Sequence, residues 1–220
     1  VADDMMSFAV DGLLLDSDGV LVDSHDAAAV AWNQWAEHWA PGFDFHRDIE
    51  HGRRISDLVA ELISDESDVA TAVAELVQRE LDCATDVVEI PGARQLLNSC
   101  PDGRWAVVTS ANRALATARM ASAGLPPPSV LVTGEDVANG KPFPDPYLTA
   151  AQRLHLSPTR CAVFEDAPAG VAAARTAGVV TVIGVGAAVS AAPVTLRVAD
   201  MRGVHFDGSR LDIDRSAVLR

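Results

Sequence analysis

A chain of 220 residues, 49% hydrophobic and 22% charged, is long enough to bury a full core without disulfides or an obligatory partner. Its formal charge of −14 opposes nucleic acid and anionic lipid, which are bound mostly through Lys and Arg, so the expected partner is a small molecule. The three cysteines, Cys83, Cys100 and Cys161, are odd in number and lack a Cys-x-x-Cys spacing, which excludes a disulfide framework and fits a reducing compartment.

The chain begins with acidic residues and without the basic and apolar regions of a signal peptide, so a cytoplasmic protein is expected. Phe8–Leu15, interrupted by Asp11-Gly12, reads as the first strand. From about Ser24 to Thr85 the pattern is helical throughout, over Asp26–Trp39, Ile49–Ile63 and Asp68–Leu81. Trp32, Trp35 and Trp39 fall at i, i+3 and i+7 and read as a packing stripe. Strand and helix alternate from near Val87, where Pro91 is placed at the opening of a helix. Strands are expected at Trp105–Val108, Val130–Val132, Cys161–Phe164 and Val179–Val185, and helices at Asn112–Ala123, Pro146–Leu154 and Ala167–Ala177. Val179–Val189, the longest apolar stretch, is too short and too glycine-broken to span a membrane. Leu196–Val198 suggests an edge strand, and Val204–Arg220 a docked or partly disordered tail. The pattern predicts an α/β, doubly wound, Rossmann-like core over residues 1–22 and 88–220, with residues 23–87 inserted as a helical cap.

In such sheets ligands bind outside the carboxyl ends of the strands, and polar residues gather there. The first strand ends in Asp16-Ser17-Asp18-Gly19, the next in Thr109-Ser110, and a later one in Glu165-Asp166. Asn139-Gly140-Lys141-Pro142 adds a lysine in a Gly/Pro-framed loop. Singly, each has a plain structural reading as a turn, a helix cap or a solvated lysine. Together, in this order, they are not expected by accident.

These residues resemble the four motifs of the haloacid dehalogenase superfamily, in its sugar- and polyol-phosphate phosphatase branch with a helical cap. They are Asp16-Ser-Asp-Gly-Val-Leu, Thr109, Lys141 in Gly-Lys-Pro-x-Pro-Asp-Pro-Tyr, and Glu165-Asp166 in Phe-Glu-Asp-Ala-Pro-Ala-Gly. The resemblance implies a Mg²⁺-dependent phosphatase in which Asp16 is the nucleophile, Asp18 the acid/base, and Thr109 and Lys141 steady the phosphoryl group. It implies metal ligation by Asp16, the Asp18 main-chain carbonyl and Asp166, with Glu165 acting through water or orienting a neighbour. Ser110, Asn112 and Arg53 are expected to meet the substrate, with Arg54 an alternative to Arg53. Mg²⁺ and Lys141 nearly balance Asp16, Asp166 and a phosphomonoester dianion, so Asp18 is expected to hold a proton when substrate is bound. Hard oxygen donors favour Mg²⁺ over zinc, and the six histidines show no metal-binding spacing.

The rival expectation is a phosphosugar mutase of β-phosphoglucomutase type, which by the same resemblance would carry histidine where this chain has Ala28. Asp18 speaks against a dehalogenase. Lys141, the chain's sole lysine, leaves none for a Schiff base in the cap. A non-catalytic phosphate-binding module finds no support in four intact motifs. A monomer or weak homodimer is expected.

Overall fold

The computed structural model describes residues 4–219. Residues 1–3, part of the acidic start read above as lacking a leader, lie outside the described residues, as does residue 220.

The first apolar run divides between two sheets. β1 (Met5–Ala9) ends before Asp11, and β2 (Gly12–Leu15) follows it. The chain then makes β3 (Val22–Asp23) and four helices, α1 (His25–Trp39), α2 (Phe45–Asp48), α3 (Ile55–Leu62) and α4 (Glu66–Cys83). It returns through β4 (Val88–Glu89), which pairs antiparallel with β3, so the helical insertion leaves and rejoins at one point. Next come α5 (Ala93–Ser99), β5 (Trp105–Val108), α6 (Arg113–Ser122), β6 (Leu131–Val132) and α7 (Asp145–Arg153). They are followed by β7 (Cys161–Glu165), α8 (Pro168–Thr176), β8 (Thr181–Val185) and β9 (Leu196–Val198). The chain closes with β10 (Val204–Phe206) and β11 (Arg210–Asp214).

Six of these strands form one parallel sheet in the order β6-β5-β2-β7-β8-β9. β2 lies in the middle because Leu13, Leu14 and Leu15 are all fully buried, a pattern that only a strand covered on both faces can satisfy. Its side chains alternate between two cores. Leu13 and Leu15 pack with Leu96 and Leu97 of α5, Met120 of α6, and Leu211 and Ile213 of β11. Leu14 packs with Tyr147 and Ala150 of α7 and Val171 and Ala174 of α8. The sheet is therefore sandwiched on both sides, as a doubly wound fold requires.

Two segments differ in detail from expectation. Of the two alternatives for the tail the docked one holds, and it goes further than expected: Val204–Phe206 and Arg210–Asp214 form a three-stranded antiparallel sheet with β1 in the order β1-β11-β10, with Met5 opposite Asp214. Pro91 does not open a helix. It precedes Gly92, whose φ of 87° places the turn before α5, and the helix begins at Ala93. Leu196–Val198 does form the edge strand β9.

The insertion has its own apolar core of Trp32, Trp35, Phe45, Leu58, Val59 and Leu76. The tryptophan stripe is thus largely packing. Cys100 and Cys161 are buried free thiols and Cys83 is a partly buried one, consistent with their reading as small hydrophobes. Among the described residues, no helix is long and apolar enough to cross a membrane.

Candidate active site

Register brings the motif residues together. Leu15 sits between Val107 of β5 and Phe164 of β7, so the residues following these three strands emerge side by side. Asp16 donates its backbone N–H to Phe164 O at 3.1 Å, which extends the pairing one residue past β2. Lys141 enters from the loop between β6 and α7. Its Nζ donates to Asp16 Oδ1 at 2.6 Å, Glu165 Oε1 at 2.6 Å and Val108 O at 3.1 Å. Those three bonds use all the donors of an ammonium, so Lys141 is satisfied while only 1% exposed.

Glu165 is fully buried behind this pair. Oε1 accepts from Lys141 and from Tyr147 Oη at 2.6 Å, and Oε2 accepts from Ala167 N at 3.2 Å. It therefore orients Lys141 rather than standing in the open cleft, which favours the second of the two roles expected for it. A Cβ on Gly170 would fall 1.7 Å from Glu165 Oε1, which explains the glycine that closes this motif. Gly19 serves Asp166 in the same way: its φ is +76°, and a Cβ there would meet Asp166 Oδ2 at 2.1 Å.

Asp16, Glu165 and Asp166 each bring a carboxylate oxygen within 4.8 Å of the others. Against three carboxylates stands one ammonium. Burial pushes Asp16 up to about 8, with Lys141 opposing and Glu165 and Asp18 reinforcing the rise. Burial likewise holds Asp166 well above the usual carboxylate range, with Asp16 and Glu165 adding to it. Closely spaced oxygen donors, buried at Asp16 and Glu165 and half-buried at Asp166, with an excess of negative charge are the environment a hard divalent cation offsets, so Mg²⁺ fits these residues.

Asp18 lies nearer solvent. Its Oδ1 accepts from Ser24 Oγ at 2.5 Å and from Arg119 at 2.9 Å. Arg119, on α6, is buried, and its other amino group lies 3.3 Å from Glu80 Oε2 of α4. Glu80 Oε1 in turn accepts from Trp32 Nε1 at 2.8 Å. None of this charged chain was anticipated from sequence. The signal existed: Glu80 continues the buried four-residue spacing of Ala72 and Leu76, and Arg119 follows Leu115 by four on the buried face of α6.

The cleft is about 140 Å³ and is lined by Asp16, Asp18, Thr109, Ser110 and Asp166 from the sheet side. Arg53, Trp32, Phe45 and Leu58 line it from the insertion. Thr109 is buried, and its Oγ1 accepts from Ala111 N at 3.1 Å. Ser110 Oγ donates to Gly52 O at 2.6 Å, tying the sheet to the insertion.

Asn112 is placed differently from its expected substrate role. Its side chain caps α6, accepting from Leu115 N at 2.8 Å, and it does not line the cleft. Arg53 does reach the cleft wall, but its guanidinium is paired with Glu50 at 2.8 Å and Glu61 at 2.5 Å. Arg54 turns away from the cleft. It pairs with Asp57 at 2.8 Å and donates to Val137 O and Ala138 O in the loop that carries Lys141. His25, Ala28 and His51 are on the cleft wall, and His25 Nε2 lies 3.3 Å from His46 Nδ1. Burial, with His25 and His46, holds His51 below the ordinary imidazole range.

Comparison with known proteins agrees with this arrangement. The family described as haloacid dehalogenase-like hydrolase matches residues 10–178. Hexitol phosphatase A of Escherichia coli (strain K12) is 39% identical over 171 residues, 76% of this chain and 79% of that protein. Glycerol-1-phosphate phosphohydrolase 2 of Saccharomyces cerevisiae is 34% identical over 185 residues, covering 79% of this chain and 74% of that protein. Among solved structures, a putative β-phosphoglucomutase from Thermotoga maritima superposes with a TM-score of 0.62 at 28% identity, covering 86% of this chain and 94% of that one. The family match spans every one of the strand-end motifs, and the chain belongs to the haloacid dehalogenase-like hydrolases.

Proposed function

We propose that the protein is a Mg²⁺-dependent phosphatase that hydrolyses a small sugar or polyol phosphate through an aspartyl phosphate on Asp16, with residues 23–87 acting as its cap. The observation that carries this reading is the buried Asp16 carboxylate at the end of the central strand, held by Lys141 beside Asp166. A carboxylate attacks a phosphomonoester dianion only where cations offset the repulsion, and Lys141 is positioned to do so.

In this reading Lys141 orients Asp16 and neutralises part of the charge, while Thr109 and the following backbone N–H hold phosphoryl oxygens. Mg²⁺, held by Asp16, Asp166 and the Asp18 main-chain carbonyl, would supply Lewis-acid neutralisation of the phosphoryl oxygens. Asp16 bonds to phosphorus as the ester P–O bond breaks, and Asp18 gives its proton to the departing alkoxide. Ser24 and Arg119 both donate to Oδ1 of Asp18, which leaves Oδ2 as the oxygen for proton transfer. The ionised Asp18 then takes a proton from the water that cleaves the acyl phosphate, restoring both residues. The formal charge of −14 favours a small-molecule substrate over nucleic acid or an anionic membrane, in keeping with a cytoplasmic protein.

The test is phosphate release against a panel of sugar, polyol and nucleotide monophosphates, with Mg²⁺ and with chelator, alongside Asp16→Asn. Chelator-sensitive release that vanishes in the variant is expected. Turnover that survives Asp16→Asn overturns the covalent mechanism. Conversion of glucose 1-phosphate to glucose 6-phosphate without phosphate release would favour the mutase reading, against which Ala28 stands on the cleft wall.

A further inference from the structure

We propose that the Glu80–Arg119 pair is the specificity element of the cleft, selecting phosphoesters whose leaving group carries a neutral hydroxyl close to the ester oxygen. The inference rests on the phosphatase reading, because it takes Asp18 as the group beside the ester oxygen.

The placement follows from the hydrogen bonds. Asp18 must lie next to the bridging oxygen to protonate it, and Arg119 is one hydrogen bond beyond Asp18 at 2.9 Å. Glu80 is one ion pair further, at 3.3 Å. The two side chains thus mark the path the leaving group takes away from phosphorus, and both line the same cleft as Asp16 and Asp18. Around them the wall is apolar, with Ala28, Trp32, Ile55 and Leu58. A carbon chain can lie on that surface while its hydroxyls face the pair.

Stability alone does not account for the pair. Both residues are about 95% buried, and a buried ion pair is commonly no more stabilising than apolar side chains of the same volume. Arg119 is also incompletely paired. Its Nε is buried without a hydrogen-bond partner among the described residues, and its contact to Glu80 is longer than its bond to Asp18. Glu80 is held from behind by Trp32, which fixes Oε1 and leaves Oε2 turned to Arg119.

The chemistry then selects the leaving group. A guanidinium only donates, an ionised carboxylate only accepts, and a hydroxyl does both, so one hydroxyl satisfies Arg119 and Glu80 together. A second anionic group on the leaving side meets Glu80 and is repelled. An alkyl leaving group displaces water from the pair and returns nothing, and sites built to hydrogen-bond a hydroxyl reject analogues without it strongly.

The experiment measures kcat/KM of the wild type and Glu80→Gln for glycerol 1-phosphate, n-propyl phosphate and p-nitrophenyl phosphate. The wild type should prefer glycerol 1-phosphate over n-propyl phosphate by about 10- to 1,000-fold. In Glu80→Gln that preference should fall by about tenfold or more, since an amide can donate where the hydroxyl must donate. Equal turnover of the two alkyl phosphates by the wild type, or an unchanged ratio in a folded Glu80→Gln, overturns the proposal. If Glu80→Gln does not fold, Trp32→Phe, which removes the donor that fixes Glu80, should lower the same ratio, and the wild-type comparison stands without any variant. Failure of the wild type to hydrolyse even p-nitrophenyl phosphate refutes the underlying phosphatase reading and this proposal with it.

Discussion

Replacing Tyr147 by Phe isolates one hydrogen bond in the middle of the charged cluster. The hydroxyl donates to Glu165 Oε1 at 2.6 Å, and both residues are fully buried. Burial, reinforced by Glu165 and Asp16, holds the phenol well above its ordinary range, so it is a donor at neutral pH. A Phe ring keeps its place among Leu14, Ala150 and Val163 and keeps the face over which Lys141 Nζ lies at 5.3 Å. What is lost is a bond to a charged acceptor, about 1.5–3 kcal/mol. For a domain of this size each 1 kcal/mol moves Tm by about 2–4 °C, so Tyr147→Phe should lower Tm by about 3–12 °C. Glu165 retains Lys141 and Ala167 N, so kcat should fall by less than about tenfold, because Lys141 is still held. Thermal unfolding followed by circular dichroism measures the first figure, and steady-state phosphate release the second. A Tm shift below about 1 °C would refute the argument, since it would mean that Glu165 does not depend on this donor.

Three further outcomes follow from the same geometry. Mg²⁺ should raise the Tm of the wild type and do so much less in Asp166→Asn, because the variant loses one carboxylate of the buried cluster; equal shifts in a titration by scanning calorimetry would remove Asp166 from the metal site. Arg54→Ala should cost about 1–2 kcal/mol and raise KM several-fold, because Arg54 joins the insertion to the Lys141 loop through Val137 O and Ala138 O; urea unfolding with kinetics checks both, and an unchanged KM would deny the coupling. Asp136 ties β6 to α6 and α7, bonded by Thr133, Arg113 and Arg153. Burial pushes it up, but the Thr133 hydroxyl, Arg153 and the Thr133 amide outweigh that and bring it to about 2. A depressed carboxylate stabilises fully above its unfolded value of 3.8 and loses that contribution as pH falls towards about 2. Asp136→Asn should therefore cost about 1 kcal/mol at pH 7, after allowance for solvent screening, and the difference from wild type should shrink below pH 4.

The sheet side of the cleft was legible because its acids and hydroxyls each follow a buried strand. Leu13–Leu15, Trp105–Val108 and Cys161–Phe164 are apolar runs that announce themselves, and the polar residue at the end of each has few places to go but the sheet's carboxyl edge. Tyr147 was less legible, although it is the only tyrosine in the chain and sits in the lysine motif itself. Its partner Glu165 is 18 residues away, and nothing local joins them. Glu80 and Arg119 were hidden for a related reason. Each interrupts an apolar helix face, which alone reads as a flaw in the pattern, and only the packing of α4 against α6 shows that the two flaws answer each other. The three-stranded sheet was missed because β1 and β11 pair over a separation of about two hundred residues. Asn112 misled in the opposite direction. It stands two residues past a motif, yet the same position is the start of α6, and the helix end claims its side chain.

The contacts that close the cleft are of one kind. The insertion's own core, with Trp35 and Leu76, is separate from the two cores that sandwich the sheet. What crosses between insertion and sheet around the cleft is mostly polar: Ser110 to Gly52, Arg54 to the carbonyls of the Lys141 loop, and Arg119 to Glu80. Apolar contact there comes from a small cluster of Ala84, Ala111, Leu115 and Ala116, with Ile55 and Leu81 against it, and from Val87 and Ala27 where the insertion meets the core under the sheet. Polar bonds of this sort are exchanged for bonds to water at little net cost, whereas exposing an apolar core is not. The antiparallel pairing of β3 with β4 holds both connections of the insertion at one place. β3 begins only four residues after Asp18, so the connection into the insertion starts at the cleft itself, and how the insertion sits is tied through a short segment to the Asp18 side chain.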